Sequence, residues 1–378
     1  MSDILFLAHR VPYPPDRGDK VRSYHVMRHL STLGRVHLAT FADDPRDLGH
    51  DATVKQWCAS VVTVPRTKGN ARAAVEALAS GRPVSLAAFD HPDMRSAVTR
   101  LLGERRHDAI YVYSGQMAQY LPADARFVMD FVDLDSAKFA AYAEDARGPM
   151  RWMMRREARL LGAFERAVAA RAEATLFVSA AEAALFGGRA QAVENGIDTG
   201  FFDPAAVTPV AEAGSLIVFT GQMDYRPNID AVRWFVQEVL PRVPGRFAIV
   251  GRSPTAAVRA LAGERVIVTG EVADVRGWIA AADVVVAPLL LARGVQNKVL
   301  EAMAMARPVV ASTAAAEGID HDGSIRIAGD ADAFVSEIIG LLENPDVAHT
   351  LGQAARARTI ARYGWDARLA PLAGLMGL

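Results

Sequence analysis

Two parallel-sheet α/β domains in one chain are what this sequence predicts, from three observations. The first is length: 378 residues, 51% hydrophobic and 22% charged, exceed what one core usually organises and suit two. The second is order. Short apolar runs alternate with segments of helical spacing through both halves, the pattern of strands buried on both faces and joined by crossover helices. The third is a stretch near residue 300, where an apolar run closed by proline leads to a glycine, a helix and another apolar run. Together these give two doubly wound, Rossmann-like domains.

In the first half the strand candidates are 3–9, 35–41, 60–65, 108–114, 126–132 and 174–179, separated by helical patterns such as 21–33 and 94–102. The second half repeats the order with 215–220, 246–250, 265–269, 283–287, 308–311 and 325–328. Between them, Asn195-Gly196-Ile197-Asp198, Asp203-Pro204, Pro209 and Ala211-Glu212-Ala213-Gly214 combine turn formers with proline stiffening, so the hinge is placed there. The expected division is 1–205, 206–350, and a final helical segment, 351–378, that crosses back to the first domain and carries Arg356, Arg358 and Arg362 on its polar side.

The formal net charge of -1 supplies no global field for nucleic acid, so any anion site must be local. Cys58 is the single cysteine, which excludes an internal disulfide and a multi-cysteine metal site; beside Trp57 it reads as a small packed residue. No apolar run approaches the ~20 residues that span a bilayer, and no basic leader precedes Ile4-Leu5-Phe6-Leu7-Ala8. The expectation is a cytoplasmic protein.

The most informative block is Gly294-Val295-Gln296-Asn297-Lys298-Val299-Leu300-Glu301, followed by Ala302 to Val310. Gly294 allows close backbone approach, and the first N–H groups of the helix it opens lack internal partners and carry the positive end of the dipole. Lys298 and Glu301, three apart, share a face, which lets an ammonium meet phosphate while a carboxylate accepts from ribose hydroxyls. The same spacing also fits a plain solvated ion pair. Context favours the ligand reading, because the apolar run Asp283 to Leu289 points its carboxyl end at the glycine turn, and open parallel sheets bind ligands at that edge.

These blocks, with Phe219-Thr220-Gly221, Ile249-Val250-Gly251 and Val268-Thr269-Gly270-Glu271-Val272 in the same order, resemble the donor-binding domain of GT-B glycosyltransferases of family 4, the retaining, nucleotide-sugar-dependent group. The first half is similar too, in its Pro12 to Lys20 loop after the first strand and in Asn195-Gly196-Ile197-Asp198. Within the family, Pro14 to Tyr24, Met223-Asp224-Tyr225-Arg226-Pro227-Asn228 and Gln296-Asn297-Lys298 are most similar to sugar transferases of bacterial exosortase-linked (PEP-CTERM) exopolysaccharide systems. The resemblance implies a GT-B fold with two facing domains and an interdomain cleft. It assigns Glu301 to the ribose, Lys298 to the diphosphate, Gly294, Val295, Gln296 and Asn297 to donor sugar and phosphate through backbone amides, and the backbone of Val272 to the nucleobase. Two departures stand out. Arg293 occupies the place of the family's first glutamate, and Gly221 is followed by Gln222 and Met223 where a basic pair is usual; Arg226 is assigned to the diphosphate in its stead.

On the first domain, Arg17-Gly18-Asp19-Lys20 opens a helix after the first strand and either meets phosphate or acceptor, or serves as a structural turn. His9 and Ser114 end strands and could touch acceptor. Asp130, Asp133 and Asp135 follow a strand, where a carboxylate can bind a sugar or accept a hydroxyl proton, or cap the next turn. No metal or cofactor is expected. Arg147 to Arg171, with seven arginines and Met150, Trp152, Met153 and Met154, reads either as a face for anionic lipid or as an ordinary core helix.

The function expected is transfer of a sugar from a nucleoside-diphosphate donor to a hydroxyl of a glycan or polyprenyl-linked acceptor, in the cytoplasm or at the inner face of the membrane. Two rivals stay open: a GT-B-fold sugar-nucleotide epimerase or hydrolase, and a non-catalytic nucleotide-sugar-binding protein.

Overall fold

The computed structural model describes residues 2–16, 18–291 and 295–378. Arg17, Ala292, Arg293 and Gly294 lie outside the described residues, and with them the expectations placed on Arg293 and Gly294. The chain divides into two compact units, Met1–Asn195 with Arg368–Leu378, and Gly196–Ala367. The division falls at Asn195/Gly196, ten residues before the expected boundary of 205. Only Arg368–Leu378 returns to the first unit, and the long helix Pro345–Tyr363 stays with the second. The physical reason lies in Ile197 and Arg356. The Ile197 amide donates to the Tyr363 carbonyl at 2.7 Å, and Arg356 donates to the carbonyls of Phe202 and Ala304, so both segments are bound into one core.

In the first unit the strands are β1 (Ser2–Ala8), β2 (Gly34–Ala42), β3 (Cys58–Pro65), β4 (Ala109–Tyr113), β5 (Val128–Val132), β6 (Ala174–Phe177) and β7 (Ala190–Ala192). They form a parallel sheet of order β3-β2-β1-β4-β5-β6-β7. The second unit holds β8 (Leu216–Thr220), β9 (Arg246–Val250), β10 (Val266–Gly270), β11 (Val284–Ala287), β12 (Val309–Ser312) and β13 (Arg326–Ala328), ordered β10-β9-β8-β11-β12-β13 and also parallel. In each sheet the direction of winding reverses beside the first strand, between β1 and β4 and between β8 and β11. Those reversals are where such sheets open a crevice at their carboxyl edge.

The central strands are largely apolar because helices cover both faces: β8 and β11 are buried at every residue. One helix of the first unit breaks the pattern. Gly18–Leu33 buries Val26 and Leu30 completely, and Arg22, on the same stripe, is only 1% exposed. Its Nε donates to Asp130 Oδ2 at 3.0 Å and its Nη1 to Asn195 Oδ1 at 3.0 Å, while the Tyr111 hydroxyl donates to the same Asp130 oxygen at 2.6 Å. Asp130 is therefore an internal ion-pair partner in the middle of β5 and not a carboxylate open to ligand. Among the described residues no helix is long and apolar enough to cross a membrane.

Candidate functional site

A concavity of the second unit, about 780 Å³, opens at the carboxyl ends of β8, β9 and β10 and beside the helix Asn297–Ala304. Its floor is made by two glycines. A Cβ on Gly251 would lie 1.8 Å from the Gly221 carbonyl oxygen, and φ of Gly251 is +148°, so the ends of β8 and β9 meet backbone to backbone as only glycine permits. Gly251→Ala is expected to spread these strand ends, to lower the melting temperature and to abolish detectable nucleotide binding; calorimetry of the variant checks this.

The helix Asn297–Ala304 buries Val299, Leu300, Ala302, Met303 and Ala304 against the sheet, which turns Lys298 and Glu301 together into the concavity. Lys298 does not pair with Glu301. Its ammonium donates to Asn228 Oδ1 at 2.5 Å and stands 4.3 Å from the centre of the Phe219 ring. Burial pushes the Lys298 pKa down to about 8, against a smaller upward pull from Glu301. Burial likewise raises the pKa of Glu301, with Lys298 acting the other way. A cation held in a half-buried site without a carboxylate partner is arranged to receive an anion.

Of the residues singled out in sequence, Gly221, Val272, Val295, Gln296, Asn297, Lys298 and Glu301 line this one concavity. Arg226 does not. It stands at the first position of the helix Arg226–Trp234, its side chain 81% exposed, and forks onto Asp230 one turn on, at 2.9 and 2.7 Å. The geometry of a helix start turned Arg226 to its own i+4 neighbour, and the residues from that segment that do reach the site are Gln222, Tyr225 and Asn228. Among the described residues the second cation at the site is Arg252, directly after β9 and Gly251, whose Nη2 donates to Gln222 Oε1 at 3.1 Å. Its position after a strand-ending Val250-Gly251 was the available sequence signal. Arg226→Ala is accordingly expected to leave nucleotide affinity within about twofold, and Arg252→Ala to weaken it several-fold, by titration of each variant.

The first-unit candidates separate into two sets. Lys20 is 4% exposed and its Nζ is bound to Asp47 Oδ1 at 2.6 Å, so it is a buried structural cation and not one presented to phosphate. Asp19 is tied to Arg10 and lies 3.4 Å from His9 Nε2; His9 and Arg10 hold its carboxyl well below the usual range. Gly18 begins the helix in open space. Ser114 and Val132, at the ends of adjacent strands β4 and β5, both have φ of +72°, a conformation that costs a non-glycine residue about 1–3 kcal/mol. Ser114 donates to Gln116, and Asp133 follows Val132, exposed. Burial raises the pKa of Asp133, with Glu182 adding to it, and burial raises that of Asp135. Among the described residues no group of three or more His, Cys, Asp or Glu is placed to hold a metal ion.

The arginine-rich segment forms the helix Gly148–Ala169. Its inner face buries Glu157, Leu161, Gly162, Glu165 and Val168. Arg156 is not on an outer face: it donates to the carbonyls of Ala77 and Arg82 at 2.8 and 3.1 Å. Met150 and Trp152 remain 56% and 58% exposed, with Arg147, Arg151, Arg155 and Arg159 exposed around them.

Residues 214–344 match a family described as glycosyl transferases group 1. The matched segment lies within the second unit, Gly196–Ala367. Among curated protein sequences none matches the chain. Solved structures match it along its whole length. Sucrose-phosphate synthase from Thermosynechococcus elongatus is 20% identical with a TM-score of 0.60, covering 99% of this chain and 98% of that one. A glycosyltransferase from Rickettsia africae is 14% identical, TM-score 0.62, over 99% and 97%. HepE of Anabaena, solved in complex with UDP, is 16% identical, TM-score 0.59, over 100% of both. At these identities the likeness is one of fold, the pair of Rossmann-like parallel-sheet domains of GT-B glycosyltransferases.

Proposed function

We propose that the protein is a retaining glycosyltransferase of the family 4 type, moving a sugar from a nucleoside-diphosphate sugar to a hydroxyl of a glycan or lipid-linked acceptor in exopolysaccharide or other cell-surface glycan synthesis. The observation that carries this reading is Lys298: an ammonium without a carboxylate partner, beside a two-glycine floor, at the carboxyl edge of a parallel sheet. HepE of Anabaena, which shares the fold, has been solved with UDP and with UDP-glucose, and a nucleoside diphosphate is the ligand this arrangement suits. Lys298 and Arg252 take the diphosphate, Glu301 the ribose hydroxyls, and backbone groups of Val272 and of Val295 to Asn297 the base and the remaining donor atoms.

In the reaction the bond between the anomeric carbon and the diphosphate oxygen breaks and its electron pair leaves with the phosphate. The acceptor oxygen bonds the same face of the sugar, and its proton passes to the departing phosphate. Negative charge grows on the leaving group in an oxocarbenium-like transition state, and a fixed ammonium lowers the barrier there without a metal. Activity is therefore expected to survive treatment with a chelator. The first unit takes the acceptor, with Asp133 and the Ser114 turn as its contacts, while Asp19 and Lys20 shape the loop through their internal pairs. The test is a panel of nucleotide sugars assayed for donor-dependent release of nucleoside diphosphate with glycan and polyprenyl-linked acceptors. Transfer with retained anomeric configuration supports the reading; free sugar or an epimer formed without acceptor contradicts it.

The exposed Met150, Trp152, Arg147, Arg151, Arg155 and Arg159 fit an interfacial contact with anionic lipid, a natural companion to a lipid-linked acceptor and to a place at the inner face of the cell membrane. Co-sedimentation with anionic vesicles at low salt, lost in Trp152→Ala/Arg155→Ala, is the expected result; indifference to such vesicles contradicts it.

A further inference from the structure

We propose that Asn228 is a positioning residue: its side-chain amide holds the Lys298 ammonium over Gly221, aimed into the pocket, with its charge left available for a diphosphate. The proposal rests on the reading of that pocket as the donor site. Asn228 is the third residue of the helix Arg226–Trp234 and is 5% exposed. Its two polar atoms are committed in opposite directions. Nδ2 donates to the Gln222 carbonyl at 2.9 Å, which fixes the amide so that Oδ1 is the atom facing Lys298 Nζ at 2.5 Å. Both partners sit directly above the strand end: a Cβ on Gly221 would meet Asn228 Nδ2 at 2.7 Å and Lys298 Nζ at 3.1 Å.

The chemistry of the partner matters here. An ammonium has three N–H donors, and the amide oxygen satisfies one while leaving the positive charge whole. The Phe219 face stabilises that charge without neutralising it. A carboxylate of the same shape would both neutralise the lysine and repel an incoming phosphate. Among the described residues the other charged groups that line the pocket are Glu301 on the lysine's own helix, Arg252 beyond β9 and Glu271 beyond β10. Burial already keeps the Lys298 pKa near 8, so an added neighbouring carboxylate has room to move it.

Calorimetric titration with UDP and with GDP from neutral to alkaline pH tests this in wild type, Asn228→Asp, Asn228→Ala, Lys298→Met and Asn228→Ala/Lys298→Met. Asn228→Asp is expected to weaken binding on the order of 10- to 100-fold at neutral pH and to move the alkaline fall in affinity to higher pH. A merely structural role for Asn228 would not move that profile. Asn228→Ala tests the contact without added charge: kcat should fall about tenfold with KM changed less, and the loss should vanish in the Lys298→Met background. Wild-type protein that binds neither nucleotide removes the donor-site reading and this proposal with it. Wild-type binding that Lys298→Met weakens, together with an Asn228→Asp titration that keeps the wild-type pH profile or an Asn228→Ala loss that persists without the lysine, overturns this proposal alone.

Discussion

Lys298→Met is expected to lower kcat on the order of 10²-fold, the scale of removing one preorganised charge donor from an active site, with a smaller change in KM. The asymmetry follows from where the charge is. In the proposed reaction the diphosphate of the bound donor is already anionic, so Lys298 would contribute some ground-state binding. As the glycosidic bond breaks, a further negative charge collects on the leaving oxygen, and only then is the full interaction realised. Steady-state kinetics of the variant measure the split directly. The same residue sets a pH dependence. Burial holds the Lys298 pKa near 8, below its ordinary value, and only the protonated form attracts phosphate. Below about pH 8 the free protein already carries the charge; above it, binding must first take up a proton, so affinity should fall by up to about tenfold per pH unit as pH rises through that value. A wild-type profile flat from neutral to alkaline pH, or turnover retained in Lys298→Met, would assign the lysine to packing alone.

Arg22→Met is expected to destabilise the first unit by about 3–5 kcal/mol, since it leaves a buried carboxylate without its counter-ion. Asp130 is 0% exposed and would keep only the Tyr111 hydroxyl and the Val132 amide, at 2.6 and 3.1 Å, as donors. Asn195 would lose its contact at the same stroke, and Asn195 is the last residue of the unit before the chain enters the second. Removing both charges in Arg22→Met/Asp130→Leu should restore part of the loss, because the cost lies mainly in the unpaired charge and not in the missing attraction. Chemical denaturation that resolves the unfolding of the first unit measures both. A single variant as stable as wild type would mean the pair contributes nothing net.

The fold was readable because parallel strands covered on both faces leave continuous apolar runs, and β1, β8, β9 and β11 all fall within a residue or two of their expected places. The strand β7 was not readable: Ala190-Gln191-Ala192 is short, lies at the sheet edge and carries no apolar run. Lys298 and Glu301 were legible from helical spacing next to a strand end, and both line the pocket. Arg226 was chosen for its charge and its nearness in sequence, and a local contact with Asp230 decides its direction instead. Asn228 carries no charge to notice, and its importance arises only when residues 70 positions apart meet. Lys20 shows the converse. Its glycine-opened helix fitted either a phosphate or acceptor contact or a structural turn, and Asp47, distant in sequence and beyond local pattern, takes the charge. Arg22 did leave a trace, since it repeats at i+4 and i+8 with Val26 and Leu30 on the core stripe.

On the proposed function, the second unit grips a diphosphate with Lys298. Crystals of the protein soaked with UDP or GDP test it most directly. Diphosphate oxygens are expected within hydrogen-bond distance of Lys298 Nζ above Gly221, with the ribose at Glu301. Nucleotide bound elsewhere, or a pocket left empty at saturating ligand, would contradict it.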